Sequence, residues 1–314
     1  MTALLPRRIG LLVGNGLSLS VLSAISRGAQ SWSTQNPLRW NITNASAPNR
    51  FLVDEHPELG TAYRELRDED PEASDFVLID RMLRSSSDLH SHDFGSTLAW
   101  QLRNYLAMAF SHFQLGVLDP TIRDSYSDLG WSRWLSVYGS QTLAAISFNY
   151  DLVLERLLSA AGISASRPAV EARPLSLPIT KPHSSIDFGP AINVGAIFNS
   201  DVPQRLLARD EMLLGRREWT IVLPGEPSQN GELQWVRPGV EDFRQLSSTL
   251  THVVILGLSY WEADRVELDY LLDRVSSDTK VVMANPNPSP EWMERLRARH
   301  RRIEVWPDDP RDLD

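Results

Sequence analysis

Short apolar runs alternate with amphipathic segments along much of the 314-residue chain. The first run, at 9–13, stops at Gly14, and apolar residues at helical spacing follow at 17–25. Run length and the glycine stop predict a buried strand, a tight turn and a helix. The alternation resumes after residue 141, where it predicts strands at 142–148, 219–223, 252–256, 280–284 and 302–306, extended chain at 175–182, and helices at 152–158, 264–275 and 290–299.

The segments between these two parts of the chain have a different pattern. Residues 31–50 are rich in Ser, Asn, Pro and Trp and have little periodicity, which predicts a loop over a site. Residues 58–137 carry apolar side chains at helical spacing, including Phe76, Ile79 and Leu83, and contain no convincing strand. We interpret them as helices inserted into the strand–helix alternation.

Strand–helix alternation with almost continuously apolar strands is typical of a parallel sheet that helices cover on both faces. We therefore predict a single domain over 1–314 with an α/β fold, built on a Rossmann-like, open and mostly parallel sheet. The core of this domain is expected to comprise 1–30 and 141–314, and the helical insertion 51–140.

Net charge, the absence of cysteine and the length of the apolar runs argue against several classes of protein. The formal net charge of −9 at pH 7 argues against sequence-independent nucleic-acid binding, which needs a basic surface. The absence of cysteine excludes disulfides, thiolate metal sites and a cysteine nucleophile, and it fits a cytoplasmic protein. No apolar run is long enough to span a membrane, and the N-terminal residues lack the pattern of a signal peptide.

Small or polar clusters follow five of the predicted extended segments. In open α/β sheets, ligands bind at the carboxyl ends of the strands, so the residues just after each strand are the ones to examine. If the sheet forms, these clusters should meet in one crevice; they lie at 14–18, 149–151, 181–184, 257–259 and 285–287.

The first cluster has the features of a phosphate site and also of a simple turn. Gly14 and Gly16 lack a Cβ that would keep a phosphate away from the backbone, and the following helix offers free N–H groups to an anion. Position 19 is Leu, where the full dinucleotide fingerprint has its third glycine. Phosphate binding and a tight strand-to-helix turn therefore both remain open.

The other clusters carry groups that could bind a sugar or move a proton. Asn149 could present its amide to a ribose hydroxyl or a water, whereas Asp151 is better explained as a cap of the following helix. His183 could exchange a proton near neutral pH, although most solitary histidines are structural. Ser259 and Asn285 would point into the crevice, and the alternative is that they only shape their loops.

Taken together and in this order, the five clusters resemble the sirtuin-like (SIR2-like) NAD-hydrolase domains of bacterial antiphage defence. That family has a glycine-rich turn, a Thr/Ser-x-Asn-Tyr-Asp segment, a His-Gly, a Gly-x-Ser and a late Asn-Pro. The matching residues here are Gly14 to Ser18, Ser147 to Asp151, Lys181 to Ser184, Gly257 to Ser259, and Asn285 with Pro286. Ser184 replaces the glycine after the histidine and is expected to narrow the pocket. The zinc cysteines of deacylating sirtuins are absent.

The resemblance implies an NAD⁺ hydrolase that releases nicotinamide and ADP-ribose, with NAD as substrate and no metal. It implies that Asn149 positions the attacking water or a ribose hydroxyl, and that His183 contacts the ribose hydroxyls and acts as a base. Asp264 is expected only to cap a helix. The expected NAD-binding residues are Gly14, Asn15, Gly16, Ser18, Asp151, Gly257, Ser259 and Asn285.

Free hydrolysis of NAD⁺ would harm the cell that makes the enzyme, so we expect activity to be gated by assembly. The resemblance suggests a homo-oligomer or a separate regulatory protein such as a HerA-type ATPase, and no membrane. Two other functions remain open. One is a catalytically silent NAD or ADP-ribose-binding module that acts as a scaffold or sensor. The other is a transferase of ADP-ribose or a protein deacylase.

Overall fold

The computed structural model describes residues 6–25, 32–40, 42–44, 47–85, 97–122, 125–168, 170–171, 173–191, 204–213, 221–223, 233, 235–307 and 309–313. The strands, in chain order, are β1 Ile9–Val13, β2 Thr43–Asn44, β3 Ala47–Phe51, β4 Thr142–Ser147, β5 Ala165–Ser166, β6 Leu177–Thr180, β7 Phe188–Pro190, β8 Gln204–Leu206, β9 His252–Leu256, β10 Lys280–Ala284 and β11 Arg302–Trp306. The helices are α1 Asn15–Ile25, α2 Pro57–Glu69, α3 Asp75–Ser85, α4 Thr97–His112, α5 Asp119–Ile122, α6 Gly130–Tyr138, α7 Val153–Ala160, α8 Arg209–Met212, α9 Arg237–Ser247, α10 Glu262–Leu272 and α11 Pro290–Arg299.

Seven strands form one sheet in the order β11-β10-β9-β1-β4-β6-β5, and every neighbouring pair is parallel. The chain first builds outward from β1 through β4 and β6, and later returns to add β9, β10 and β11 on the other side. The direction of strand order therefore reverses between β1 and β9. In open α/β sheets this switch point is where ligands bind.

Each central strand is apolar throughout because both faces of the sheet are covered. All residues of β1, β9 and β10 are buried. Leu11 and Val254 belong to a core cluster that also includes residues of α1, α4 and α7. Leu12 and Ile255 belong to a second cluster, on the opposite face, with residues of α9, α10 and α11. Fully burying one such side chain contributes about 1.5–3 kcal/mol, so packing of helices on both faces of the sheet stabilises the fold.

The predicted fold class is confirmed. Strands β9, β10 and β11 have the predicted bounds, and β4 ends one residue earlier than predicted. Helix α7 ends where expected, since Gly162 has φ +75, a conformation that glycine adopts without strain. Among the described residues of 58–137 there are helices and no strand, as predicted. No helix in the described part of the chain has both the length and the hydropathy needed to cross a membrane.

Two local predictions are wrong. Residues 31–50 contain a 3₁₀ turn at Pro37–Arg39 and most of a short antiparallel hairpin, β2 with β3, instead of loop alone. Strand β2 has only two residues, too few to show a periodicity. Of the strand predicted at 219–223, residues 219 and 220 lie outside the described residues. The remaining 221–223 form no strand, and Val222 instead donates its N–H to the carbonyl of His183 at 3.2 Å.

Replacing Gly257 with alanine should lower the free energy of unfolding by about 2–4 kcal/mol. Gly257 has φ +60, and a Cβ there would lie 2.5 Å from the Cα of Gly16. Urea unfolding monitored by tryptophan fluorescence measures the effect. Gly116→Ala is the matched control, since nothing lies within 4 Å of its added Cβ. A loss no greater in Gly257→Ala than in this control would contradict the role assigned to the contact.

Candidate functional site

A cavity of about 980 Å³ lies at the carboxyl ends of β1, β4, β9 and β10. Its lining comes from both sides of the switch point between β1 and β9. The structure thus brings together residues that are far apart in the sequence. All but one of the site residues predicted from sequence line this cavity, namely Gly14, Asn15, Gly16, Asn149, Asp151, His183, Gly257, Ser259 and Asn285.

The remaining predicted residue, Ser18, lies behind the cavity wall in a hydrogen-bond network with Asn149. The Asn149 amide nitrogen Nδ2 donates to the carbonyl of Gly14 at 3.0 Å and to Ser18 Oγ at 3.3 Å. Ser18 Oγ donates in turn to Asp151 Oδ2 at 2.6 Å. No hydrogen bond within the described part of the chain uses Asn149 Oδ1. The network therefore fixes the side chain of Asn149 and leaves its carbonyl oxygen for a ligand.

Asp151 has a structural role at the site. Its Oδ1 accepts the N–H of Val153, the first residue of α7, which agrees with the capping interpretation. Burial raises the pKa of the Asp151 carboxyl, and the Lys181 ammonium and the Ser18 hydroxyl only partly oppose this rise. Because both carboxylate oxygens already accept hydrogen bonds, Asp151 holds Ser18 and α7 in place.

Lys181 joins the end of β6 to the β4–α7 loop, and this role was not expected from the sequence. Its side chain is fully buried, and its ammonium donates to the carbonyl of Asp151 and to Glu155 Oε1, the latter at 3.2 Å. An ammonium in the protein interior is stable only with such partners. Lys181 therefore fixes the chain two residues before His183.

His183 faces two buried carboxyl groups. Its Nε2 lies 3.6 Å from Asp264 Oδ1 and 3.6 Å from Glu267 Oε2. The ring also meets Phe148 edge-on, with 5.3 Å between ring centroids. Burial lowers the pKa of His183, but Glu267, Asp264 and the backbone of Phe148 outweigh it, so the net pKa is raised. The protonated imidazole is therefore favoured.

The expectation that Asp264 caps a helix is wrong. The N-cap of α10 is Trp261, and no side chain caps this end of the helix. Asp264 instead turns its Oδ1 toward His183. Glu267 was missed, although the sequence held a signal. It replaces an apolar residue in the buried stripe of α10 formed with Ala263 and Leu271, and a carboxylate at a core position needs a partner.

The glycines make close backbone contacts at the switch point. The N–H of Gly14 donates to the carbonyl of Leu256 at 2.9 Å, and the N–H of Gly16 donates to the carbonyl of Gly257 at 2.8 Å. A Cβ on Gly16 would lie 2.5 Å from the Cα of Gly257. These residues border the cavity, but their N–H groups are used within the protein. An anion there would meet the beginning of α1, which has no acidic residue in its first turn.

The remaining predicted residues differ in exposure. Both polar atoms of the Asn285 side chain are engaged within the protein. Nδ2 donates to the carbonyl of Leu258, in the loop after β9, at 2.9 Å, and Oδ1 accepts the N–H of Asn287, in its own loop, at 3.0 Å. Ser259 is exposed where it borders the cavity. Asn285 thus shapes the turn after β10, while the Ser259 hydroxyl is accessible.

Ser184 does not narrow the pocket, contrary to expectation. It is fully buried and is not among the residues that line the cavity. Its φ of 72 lies in the left-handed region, and its Oγ has no hydrogen-bond partner among the residues that the structure describes. The backbone at this position therefore favours a glycine, the residue that the family resemblance led us to expect there.

The helical insertion supplies an apolar wall that sequence analysis did not identify. Phe76, Val77, Phe110 and Trp131 line the cavity on this side. Phe76 and Phe110 belong to the apolar stripes of their helices, so nothing in the sequence distinguished them from core residues. Among the described residues that line the cavity there is no Lys or Arg. No group of three or more His, Asp or Glu within the described ranges is arranged to hold a metal ion.

Comparison with known proteins gives structural likenesses at low similarity. No protein-family model and no curated protein matches the chain in sequence. A structure described as the basis of sirtuin substrate affinity is 14% identical, with a TM-score of 0.40, over 96% of this chain and 89% of that chain. A Sir2 homologue mutant bound to ADP-ribose is 12% identical, with a TM-score of 0.38, over 95% and 85%. Sir2 with a p53 peptide and NAD⁺ is 14% identical, with a TM-score of 0.37, over 96% and 88%. At these TM-scores the fold assignment rests on the strand order given above.

Replacing Ser184 with glycine should leave the free energy of unfolding unchanged or raise it by about 1 kcal/mol. The change removes a left-handed serine and a buried hydroxyl without a partner. Ser185→Gly is the control, because Ser185 is also fully buried but its Oγ donates to Tyr150. Urea unfolding of both variants measures the difference. A larger loss in Ser184→Gly than in Ser185→Gly would show that the serine is needed at 184.

Proposed function

We propose that this chain hydrolyses NAD⁺ to ADP-ribose and nicotinamide in the cavity described above. One observation carries the proposal: Asn149 and His183, which come from different strand ends, line the same cavity. They are 7% and 8% exposed, so a sugar between them would be largely shielded from bulk water. A volume of about 980 Å³ is at the upper end of the usual range for ligand sites and suits a dinucleotide.

The reaction breaks the bond between the nicotinamide nitrogen and the ribose C1′. Positive charge develops on the ribose as the bond breaks, and water then adds to C1′. Oriented dipoles and carboxylates in a site shielded from water stabilise such charge better than bulk water does. We assign Asn149 Oδ1 to the attacking water or a ribose hydroxyl, and His183 to the ribose hydroxyls.

The rest of the dinucleotide would extend along the switch point. The beginning of α1, at Asn15, supplies a positive dipole end for the pyrophosphate. Ser259, whose hydroxyl is accessible, is proposed to hold the adenosine half. Because the described lining has no Lys or Arg, we assign pyrophosphate binding to backbone and hydroxyl groups.

The biological role that we propose is depletion of cytoplasmic NAD⁺ during antiphage defence, with activity gated by assembly. The family resemblance supports this role. The gate would be a homo-oligomer or a separate regulatory protein, for which a HerA-type ATPase is the candidate. A net charge of −9 makes direct nucleic-acid binding an unlikely trigger.

Asn149→Ala and His183→Ala should each lower NAD⁺ hydrolysis by at least about 100-fold while leaving the protein folded. Chromatography of released nicotinamide measures the rate, and circular dichroism checks the fold. His112→Ala is a matched control, because His112 is a partly buried histidine at the end of α4 and does not line the cavity. Normal turnover in both site variants would refute the assignment. A wild type that binds NAD⁺ and releases no nicotinamide would support the silent binding module instead.

NAD⁺ hydrolysis should be confined to an assembled form of the protein. Separating wild-type protein by size and assaying each fraction for nicotinamide release, with and without a candidate partner, measures this dependence. Equal specific activity in monomer and oligomer fractions, unchanged by a partner, would contradict gating by assembly without affecting the proposed reaction.

A further inference from the structure

We propose that Asp264 is the general base of the proposed hydrolysis, and that His183 and Glu267 are positioning residues that keep it ionised. This inference rests on the proposed function. The observation behind it is a cluster of three titratable side chains at the wall of the cavity. Asp264 and His183 line the cavity, whereas Glu267 lies behind them. Within the described part of the chain, neither Glu267 oxygen has a hydrogen-bond partner, and Asp264 Oδ1 and His183 Nε2 also lack one.

The spacing on α10 produces this cluster. Asp264 and Glu267 are three residues apart, so they lie on the same face of the helix. That face packs against the loop after β6, which carries His183. The side chains of Asp264 and Glu267 are 13% and 2% exposed. Nothing in the packing of α10 requires two carboxyl groups here, because an apolar side chain would fill the same volume at lower cost.

Charge balance within the cluster decides which group can accept a proton. Burial raises the pKa of Asp264 and of Glu267, and the charge of Asp264 raises the pKa of Glu267 further. Two buried carboxyls so close together do not both ionise readily. The deeper Glu267 is therefore the harder of the two to ionise, which favours the carboxylate at Asp264, beside the cavity.

The other groups that face Asp264 are consistent with this distribution. The raised pKa of His183 favours its protonated form, which stabilises the ionised form of Asp264 and disfavours the imidazole as the base. Tyr150 stays neutral, because burial and the charge of Asp264 raise the pKa of its hydroxyl. The Tyr150 hydroxyl donates to the carbonyl of Val222. The net charge of the cluster is thus close to zero, and its negatively charged group, Asp264, borders the cavity.

In the proposed step, the oxygen of a water molecule bonds to C1′ as the bond from C1′ to nicotinamide breaks. Nicotinamide leaves with the electron pair of that bond and becomes neutral. The proton lost by the water passes to the carboxylate of Asp264. A base whose pKa lies closer to neutrality than that of an ordinary aspartate accepts this proton more effectively.

The test uses isosteric variants of the full chain with NAD⁺ as the probe. Asp264→Asn should lower kcat by about 10²–10⁴-fold and remove the fall in kcat at acidic pH. Glu267→Gln should keep most of the activity and move that fall to higher pH, because His183 loses an acidic neighbour and then stabilises the ionised form of Asp264 less. Glu262→Gln is the control on the same helix, since its side chain is 70% exposed. It should leave both kcat and the pH profile unchanged.

Two further measurements separate a base from a structural residue. Added formate should restore part of the activity of Asp264→Ala, because a small carboxylate can enter the cavity and accept the proton. NMR titration of ¹⁵N-labelled histidine should show a lower pKa for His183 in Asp264→Asn and in Glu267→Gln than in wild type. The His183 signal is assigned by its loss in His183→Ala.

The outcomes distinguish this inference from the proposed function. If no size fraction of the wild type releases nicotinamide, with or without a candidate partner, both are overturned, whereas the NMR titration still tests the cluster. If the wild type is active and Asp264→Asn keeps full kcat with the same fall at acidic pH, only the assignment of the base is overturned. An unchanged His183 pKa in both variants overturns the positioning role of the two carboxyl groups.

Discussion

The site depends on one close contact, in which the backbone of Gly16 packs against that of Gly257. The N–H of Gly16 donates to Gly257 at 2.8 Å, and a side chain at either position would push the two loops apart. This contact joins the chain after β1 to the chain after β9, the two strands that lie side by side at the switch point of the sheet. The loops after β4 and β6 then reach the same cavity, and helices between β3 and β4 supply an apolar part of its lining.

The protein also buries charged groups, and these groups have partners a short distance away. Lys181 satisfies Glu155 and the carbonyl of Asp151, and the two carboxyls of α10 face His183. Burying an ionised group is costly unless a partner compensates, and an apolar core would be more stable. Asp264 and His183 also line the cavity, and titratable groups with shifted pKa values beside a cavity mark it as a candidate functional site.

Much of the fold could be predicted from local pattern. The five-residue apolar runs that became β9 and β10 are buried on both faces, and runs of this kind occur in parallel sheets. The two-residue strand β2 could not be predicted, since a periodicity needs several residues to appear. For the candidate site, Asn149 and His183 were identified because each follows an extended segment. Glu267 was missed because its importance comes from the loop that packs against it.

The sequence by itself determined the parallel sheet, the helical insertion and the polar clusters at strand ends, because these follow from residue types a few positions apart. Only the tertiary structure decided what the clusters do. It placed Gly14 and Gly16 in backbone contacts, bonded Asn285 to the loop after β9, and set Asp264 beside His183 instead of at a helix cap. The physical reason is that hydrogen bonding and charge pairing act through space, between residues whose separation along the chain carries no information about their distance.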